Sequence, residues 1–339
     1  MRQPEDTMSE RSDDPTWKLW FLLNANRWVV TVVLMVGVFV TLVVVAVVSP
    51  VALRELMAAG EPVQAAFQAL TTALITGVTL VVTINQLVLS QELGAVDDQR
   101  ERLAGSMEFR NDVEGVIDGP IAPPEPASFL QAIVDATGDH ALEFREAVGG
   151  SHDQQLRERV DDFVGNLTSH ADTVCSELEG AEFGTYEVLE PVLDYNYSWK
   201  IFRARRIESE HAEEFSEGAH ETFDTVLESL ELFGLAREHF KTLYFQWELI
   251  NLSRAMMYVA VPALVVTTSM LLFFDAGIAT GATLGVDHLV WVVAGGVTIA
   301  VTPFLLLIAF VLRIATIAKR TLAIGPFILR KSSRDEEGD

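Results

Sequence analysis

Residues Trp28 to Val48, WVVTVVLMVGVFVTLVVVAVV, form a run of 21 positions without a charge. About 20 apolar residues rising 1.5 Å each cross the hydrocarbon core of a bilayer, so this run fits a membrane span. It is too long and too uniformly apolar for a cleaved signal peptide, and it has no evident small-residue cleavage site. Three further candidates follow: a charge-free stretch between Glu61 and Glu92, a run from about Ala255 to Phe274, and another from Leu289 to Leu312. Four such runs exclude a simple soluble enzyme.

Basic residues set the expected orientation, because cytoplasmic flanks of spans are enriched in Arg and Lys. The short connections Ser49 to Pro62 and Asp275 to His288 hold one basic residue between them, Arg54. Arg27, Arg100, Arg102, Arg110, Arg237, Lys241, Arg254, Arg313, Lys319 and Arg320 flank the spans on the other side. Both termini and the long middle segment are therefore expected in the cytoplasm of a multi-pass cell-membrane protein.

The segments expected are a disordered cytoplasmic tail over 1–16, a first span with its flank over 17–48, an external loop over 49–62 and a second span over 63–90. A cytoplasmic acidic helical domain over 91–254 follows. The remainder is a third span over 255–274, an external loop over 275–288, a fourth span over 289–312 and a cytoplasmic tail over 313–339. The fold class expected is all-α: four transmembrane helices with a large cytoplasmic helical bundle inserted between the second and third. Between spans two and three no stretch alternates with period two for long, so no sheet is expected there.

The charge is concentrated in the middle segment. The chain carries 24 basic and 48 acidic residues, a net of -24. Gln91 to Arg254 alone holds 35 acids and 13 bases. Such a surface repels phosphate, so no nucleic-acid partner is expected. Arg outnumbers Lys 19 to 5. An acidic, lysine-poor folded surface suits a cytoplasm of molar salt, where the Debye length falls to about 3 Å and self-repulsion is muted. The pattern resembles proteins of salt-in halophilic archaea, in which surface acids serve solvation. A single cysteine, Cys175, excludes an internal disulfide and any multi-cysteine metal site.

Breakers divide the middle segment. Span two is expected to run on past the membrane, since Leu93, Val96, Leu103 and Met107 keep a loose helical spacing. Gly119-Pro120 and Pro123 to Pro126 then stop it. Ser128 with Gln131, and Ser151 with Gln154, fit the S-x-x-Q capping box and predict helices from about 129 and 152, the first ending at Gly149-Gly150. Phe223, Val226, Leu230, Phe233, Arg237, Phe240, Tyr244, Trp247 and Asn251 alternate steps of 3 and 4, a seam for a helix packed in a bundle. No proline lies between Pro191 and Pro262, so this helix is expected to continue into span three. Pro262, Pro303 and Gly295-Gly296 mark kinks or close contacts in the last two spans.

Span two differs from the others. Gln64, Gln68, Thr72, Thr76, Thr79, Thr83, Gln86 and Ser90 recur at steps of 4, 4, 4, 3, 4, 3 and 4, which places one polar stripe along the helix, with Thr71 and Asn85 beside it. Polar side chains are costly in lipid, so the stripe must meet protein or water. It is either glue between helices or the lining of a water-filled conduit. A conduit needs a ring of subunits, since four helices in one chain leave little room inside. The lining residues would be these eight, uncharged, offering hydroxyl and amide dipoles that leave the ion's sign open.

The order of segments resembles the bestrophin family of anion channels: termini inside, two spans, a large helical cytoplasmic segment, two more spans, and a pore-lining second span. Span two here, TLVVTINQLVLSQELG, lacks that family's aromatic-rich apolar neck, and no functional residue carries over. The resemblance implies a pentameric channel.

Other constellations carry less. Glu208 with His211 and Glu217 with His220 form two E-x-x-H pairs. They are nine residues apart on one predicted helix, hence on opposite faces and about 13 Å apart along it, so they share no metal within a chain. No H-E-x-x-H, G-x-S-x-G or phosphate-loop pattern occurs, and Gly77, Gly94 and Gly105 lie in helical context. Asp97-Asp98 reads as a solvated face. Arg203, Arg205 and Arg206 beside Trp199 and Phe202 read as packing or ion pairs rather than an anion site. No catalytic residue, cofactor or metal is expected. The function expected is an oligomeric ion channel whose partners are further copies of itself, the lipid bilayer and inorganic ions. The alternative is a membrane-anchored scaffold or signalling protein whose helical domain binds a partner.

Overall fold

The structure is a computed structural model that describes residues 16–49, 61–275, 277 and 279–320. The expected tails, 1–15 and everything beyond 320, and residues 50–60 of the first external loop lie outside the described residues. The described chain is all-α apart from one small hairpin. Its elements are α1 (Thr16–Leu23), α2 (Arg27–Val48), α3 (Glu61–Glu92), α4 (Val96–Glu114), α5 (Pro126–Val148), α6 (Gln154–Leu178), α7 (Tyr186–Asp194), α8 (Tyr197–His211), a 3-10 turn (Ala212–Glu214), α9 (Glu217–Phe273), the hairpin β1 (Ala282–Thr283) and β2 (Val286–Asp287), and α10 (His288–Arg320). Four helices, α2, α3, α9 and α10, are long and apolar enough to cross a membrane. Each overlaps one of the four apolar runs of the sequence, although α9 begins far before its run and α10 continues to Arg320, into the segment expected as a tail.

The described residues form two compact units. The apolar one comprises Trp17–Leu93 and Gln246–Ile317; the polar one comprises Gly94–Phe245 with residues 318–320. Helix α9 is unbroken over 57 residues and belongs to both, as the absence of proline before Pro262 predicts. Pro262 and Pro303 both lie inside helices that continue past them.

In the polar unit, α5 and α6 pack against α7, α8 and the first half of α9 around one apolar core. The seam of α9 faces that core: Phe223, Val226, Leu230 and Phe233 are fully buried, and Arg237 and Tyr244 nearly so. It fails at its end, where Trp247 is 47% exposed. Phe144 on α5 meets Phe215 and Phe223 with ring centroids 5.6 and 5.4 Å apart, a cluster that holds α5 to the start of α9. Gly234 lets α9 approach α8, since a Cβ there would lie 2.6 Å from the Tyr197 ring.

Two local expectations are corrected. First, α3 stops at Glu92 and a new helix begins at Val96 after an extended Ala95. Gly94 weakens the helix there, and Asp97 and Asp98 favour a helix N-terminus in their own first turn. The residues that suggested continuity are all exposed, Leu93 at 77% and Val96 at 80%. Second, neither capping box is used. Helix α5 starts at Pro126, whose fixed φ and missing N–H suit a first position, behind an extended Glu125. Helix α6 starts behind Asp153, whose carboxylate accepts from the Gln155 N–H at 2.8 Å, while Ser151 Oγ accepts from the Asp153 N–H. Outside the middle segment, a short two-stranded antiparallel hairpin turns on Leu284 and Gly285, both at positive φ. It is too short for a period of two to appear in sequence. The end of α5 at Val148, before Gly149, is as expected.

In the apolar unit, α3 buries Val63, Phe67, Leu74 and Val81 against α9 and α10. Gly296 of α10 makes the close contact its sequence suggested, since a Cβ there would lie 3.0 Å from the Phe67 ring, tighter than ordinary van der Waals contact, whereas Gly295 faces open space. Helix α2 stays largely exposed, as a helix facing lipid would.

Two expected outcomes follow. Replacing Phe144 by alanine opens a cavity in the fully buried core of the polar unit and costs about 3–5 kcal/mol, measured as a lowered urea midpoint of helicity. In the apolar unit, Glu248→Ala leaves the buried Arg27 without its carboxylate at 3.2 Å. That loss lowers stability by about 3–5 kcal/mol, and the double change Arg27→Met with Glu248→Leu costs less, measured by thermal unfolding in detergent.

Candidate functional site

The outer face of α3 is the candidate site. All eight stripe residues, Gln64, Gln68, Thr72, Thr76, Thr79, Thr83, Gln86 and Ser90, are exposed on the chain, while the opposite face of the same helix is packed. Periodicity explains this: steps of 3 and 4 keep the polar set about half a turn from Phe67, Leu74 and Val81. Thr71 is half-buried beside the stripe, but Asn85 is not on it: its Oδ1 is buried and without a hydrogen-bond partner, on the packed side.

The hydroxyls of the stripe are used locally. Thr72 donates to the Gln68 carbonyl at 3.1 Å, Thr76 to Thr72 at 2.9 Å, Thr79 to Ile75 at 2.8 Å and Thr83 to Thr79 at 2.9 Å. Ser90 donates to the Leu87 carbonyl at 2.7 Å. None of these five bonds reaches another helix of the chain. Glue between helices within one chain is therefore not what these hydroxyls supply, and the exposed stripe is left to meet water or another molecule. Apolar side chains flank it: Leu80 is 58% exposed and Leu87 64%.

The constellations set aside in the sequence fall where packing and ion pairing explain them. Arg205 pairs with Glu231 at 3.3 Å, Arg206 with Glu210 at 3.0 Å, and Arg203 lies over the Phe163 ring. Trp199 stacks on Phe202 at 5.2 Å. Asp97 and Asp98 are exposed in the first turn of α4. Of the E-x-x-H residues, His220 packs on Phe215 and His211 bonds Asp153 at 3.0 Å, with Glu214 close by. Burial raises the Asp153 carboxyl's pKa, but the N–H groups of Gln155 and Leu156 together with His211 outweigh it and hold that carboxyl below the usual range. The trio links the end of α8 to the start of α6, a tertiary pairing that no spacing in sequence reveals.

Three groups escaped the sequence reading. Arg27 is buried and shares its guanidinium between both Glu248 oxygens at 3.2 Å, the Ala25 carbonyl at 3.3 Å and the Phe310 ring. Arg313, also buried, donates to the carbonyls of Ala25 at 2.8 Å and Leu22 at 3.4 Å, so two arginines and one glutamate hold the turn between α1 and α2. In the polar unit, Lys200 is 1% exposed and sits over the Tyr195 ring at 4.9 Å. The sequence signal for the first two was present, a basic residue beside an apolar run, but it reads equally as a topology flank.

The chain belongs to DUF7972, a family of unknown function. The match covers residues 1–339. No curated protein and no solved structure matches the chain. The membership fixes kinship over the full sequence and leaves the chemistry to the residues.

Cys175, the one thiol, is half-buried on α6, and burial followed by the charges of Asp135 and Asp172 pushes its pKa up to about 11. Its thiolate fraction at neutral pH is then roughly a hundredfold below that of an ordinary cysteine. Alkylation by iodoacetamide in the folded protein is expected to be slower by about that factor than in urea, measured by mass spectrometry.

Proposed function

We propose that this protein is an oligomeric ion channel of the cell membrane, lined by the polar face of α3 contributed by several copies of the chain. The observation that carries this reading is the exposure of the complete stripe, Gln64 to Ser90, on a helix whose other face is packed. In hydrocarbon that face must be covered by protein or wetted. A symmetric ring of subunits satisfies both needs, turning the stripes toward a common axis and leaving α2 to lipid. The resemblance to bestrophins suggests five copies. In this reading both termini and the acidic helical unit lie in the cytoplasm, because the basic residues cluster on that side of the spans. The acid excess of the middle segment fits a cytoplasm of molar salt. Helix α9, unbroken from the polar unit into a candidate span, gives the helical unit a covalent means to act on the conduit.

A second reading has one observation in its favour. Val96, Leu103 and Met107 of α4 are exposed apolar side chains, which suits a scaffold that docks another protein. The two readings separate in planar bilayers at molar KCl. A channel gives discrete single-channel currents from the purified protein, and Thr79→Leu changes their amplitude. A scaffold gives no current from either form.

A further inference from the structure

The sign of the permeant ion, open in the sequence, is carried by where the stripe's protons point. A backbone carbonyl has no proton to give, so in each bond from Thr72, Thr76, Thr79, Thr83 and Ser90 to its own helix the proton is the hydroxyl's. A hydroxyl has one proton and two lone pairs. With the proton turned inward, each exposed hydroxyl offers only oxygen lone pairs to whatever lies outside. The stretch from Thr72 to Thr83 thus presents four acceptor oxygens and no donor of its own.

A second, independent feature agrees. Glu61, the first residue of α3, stands three residues before Gln64 and so continues the stripe by one more step of its own spacing. It is exposed like the rest. In a ring of copies it forms a circle of carboxylates at one end of the lining, and no lysine or arginine occurs between Arg54 and Arg100 to oppose it. Carboxylate rings and oxygen donors favour hard cations over anions. Only the amides of Gln64, Gln68 and Gln86 can donate, near the two ends.

We infer that the conduit conducts cations in preference to anions, with the inward-bonded hydroxyls of Thr72, Thr76, Thr79 and Thr83 as an oxygen-lined path and Glu61 as the selecting ring. This rests on the conduit reading above. It departs from the anion preference of the family that the segment order resembles.

The test is the reversal potential of the purified full chain in a planar bilayer under a tenfold KCl gradient. The expected result is a reversal on the potassium side of zero, moving toward zero in Glu61→Gln, with no such shift in Glu177→Gln, an exposed acid on α6. Reversal on the chloride side overturns the cation inference while leaving the conduit intact. An equal shift in both variants overturns the role of Glu61, since bulk surface charge then accounts for it. Complete absence of current from the wild-type chain overturns the conduit reading and this inference with it.

Discussion

Hydrocarbon offers no hydrogen bonds, and that single constraint orders the candidate spans of this protein. A helix satisfies its own backbone, so the apolar run of α2 needs nothing further and remains largely exposed. Helix α3 has a harder task. It carries eight polar side chains on one face, and it meets part of the demand by turning threonine hydroxyls back onto its own carbonyls. The gain is local and incomplete, because each oxygen keeps lone pairs and each glutamine keeps an amide. The face is thereby stable enough to exist and polar enough to require company, which is the physical root of the proposed assembly.

The same constraint explains the buried charges of the apolar unit. Arg27 and Arg313 are nearly inaccessible, and each is bonded rather than merely enclosed: one to Glu248, the other to the carbonyls at the end of α1. An arginine fork can serve a carboxylate, a carbonyl and a ring face at once, as Arg27 does, which a lysine cannot. These contacts are specific in direction, so they fix how the turn between α1 and α2 meets α9 and α10. Apolar packing alone would leave that register loosely defined.

The polar unit answers a different problem, that of folding under a large negative charge. Its core is conventional, with rings of Phe144, Phe215 and Phe223 at the start of α9 and Tyr195, Phe233 and Tyr197 further along. The acids lie outside this core, and several are paired with the few arginines available, as Arg205 with Glu231 and Arg206 with Glu210. Pairing at exposed sites contributes little to stability, so the aromatic core must carry the fold.

Much of this was legible from residues alone. Four candidate spans, the all-α class, the α9 seam as far as Tyr244 and the polar stripe of α3 are features of composition or period, which are local properties that a chain displays without being folded. The helix starts differ from the capping-box expectation because such boxes compete with stronger neighbours: Pro126 and Asp153 outrank Ser128 and Ser151 for reasons visible in each case only beside the backbone. What sequence determined, then, was which faces exist. Tertiary structure decided which faces are covered. It put Asn85 on the packed side, left the stripe and Leu93, Val96, Leu103 and Met107 exposed, and joined Arg27 to Glu248 across more than two hundred residues. Coverage depends on partners distant along the chain, and no local spacing encodes a partner's position.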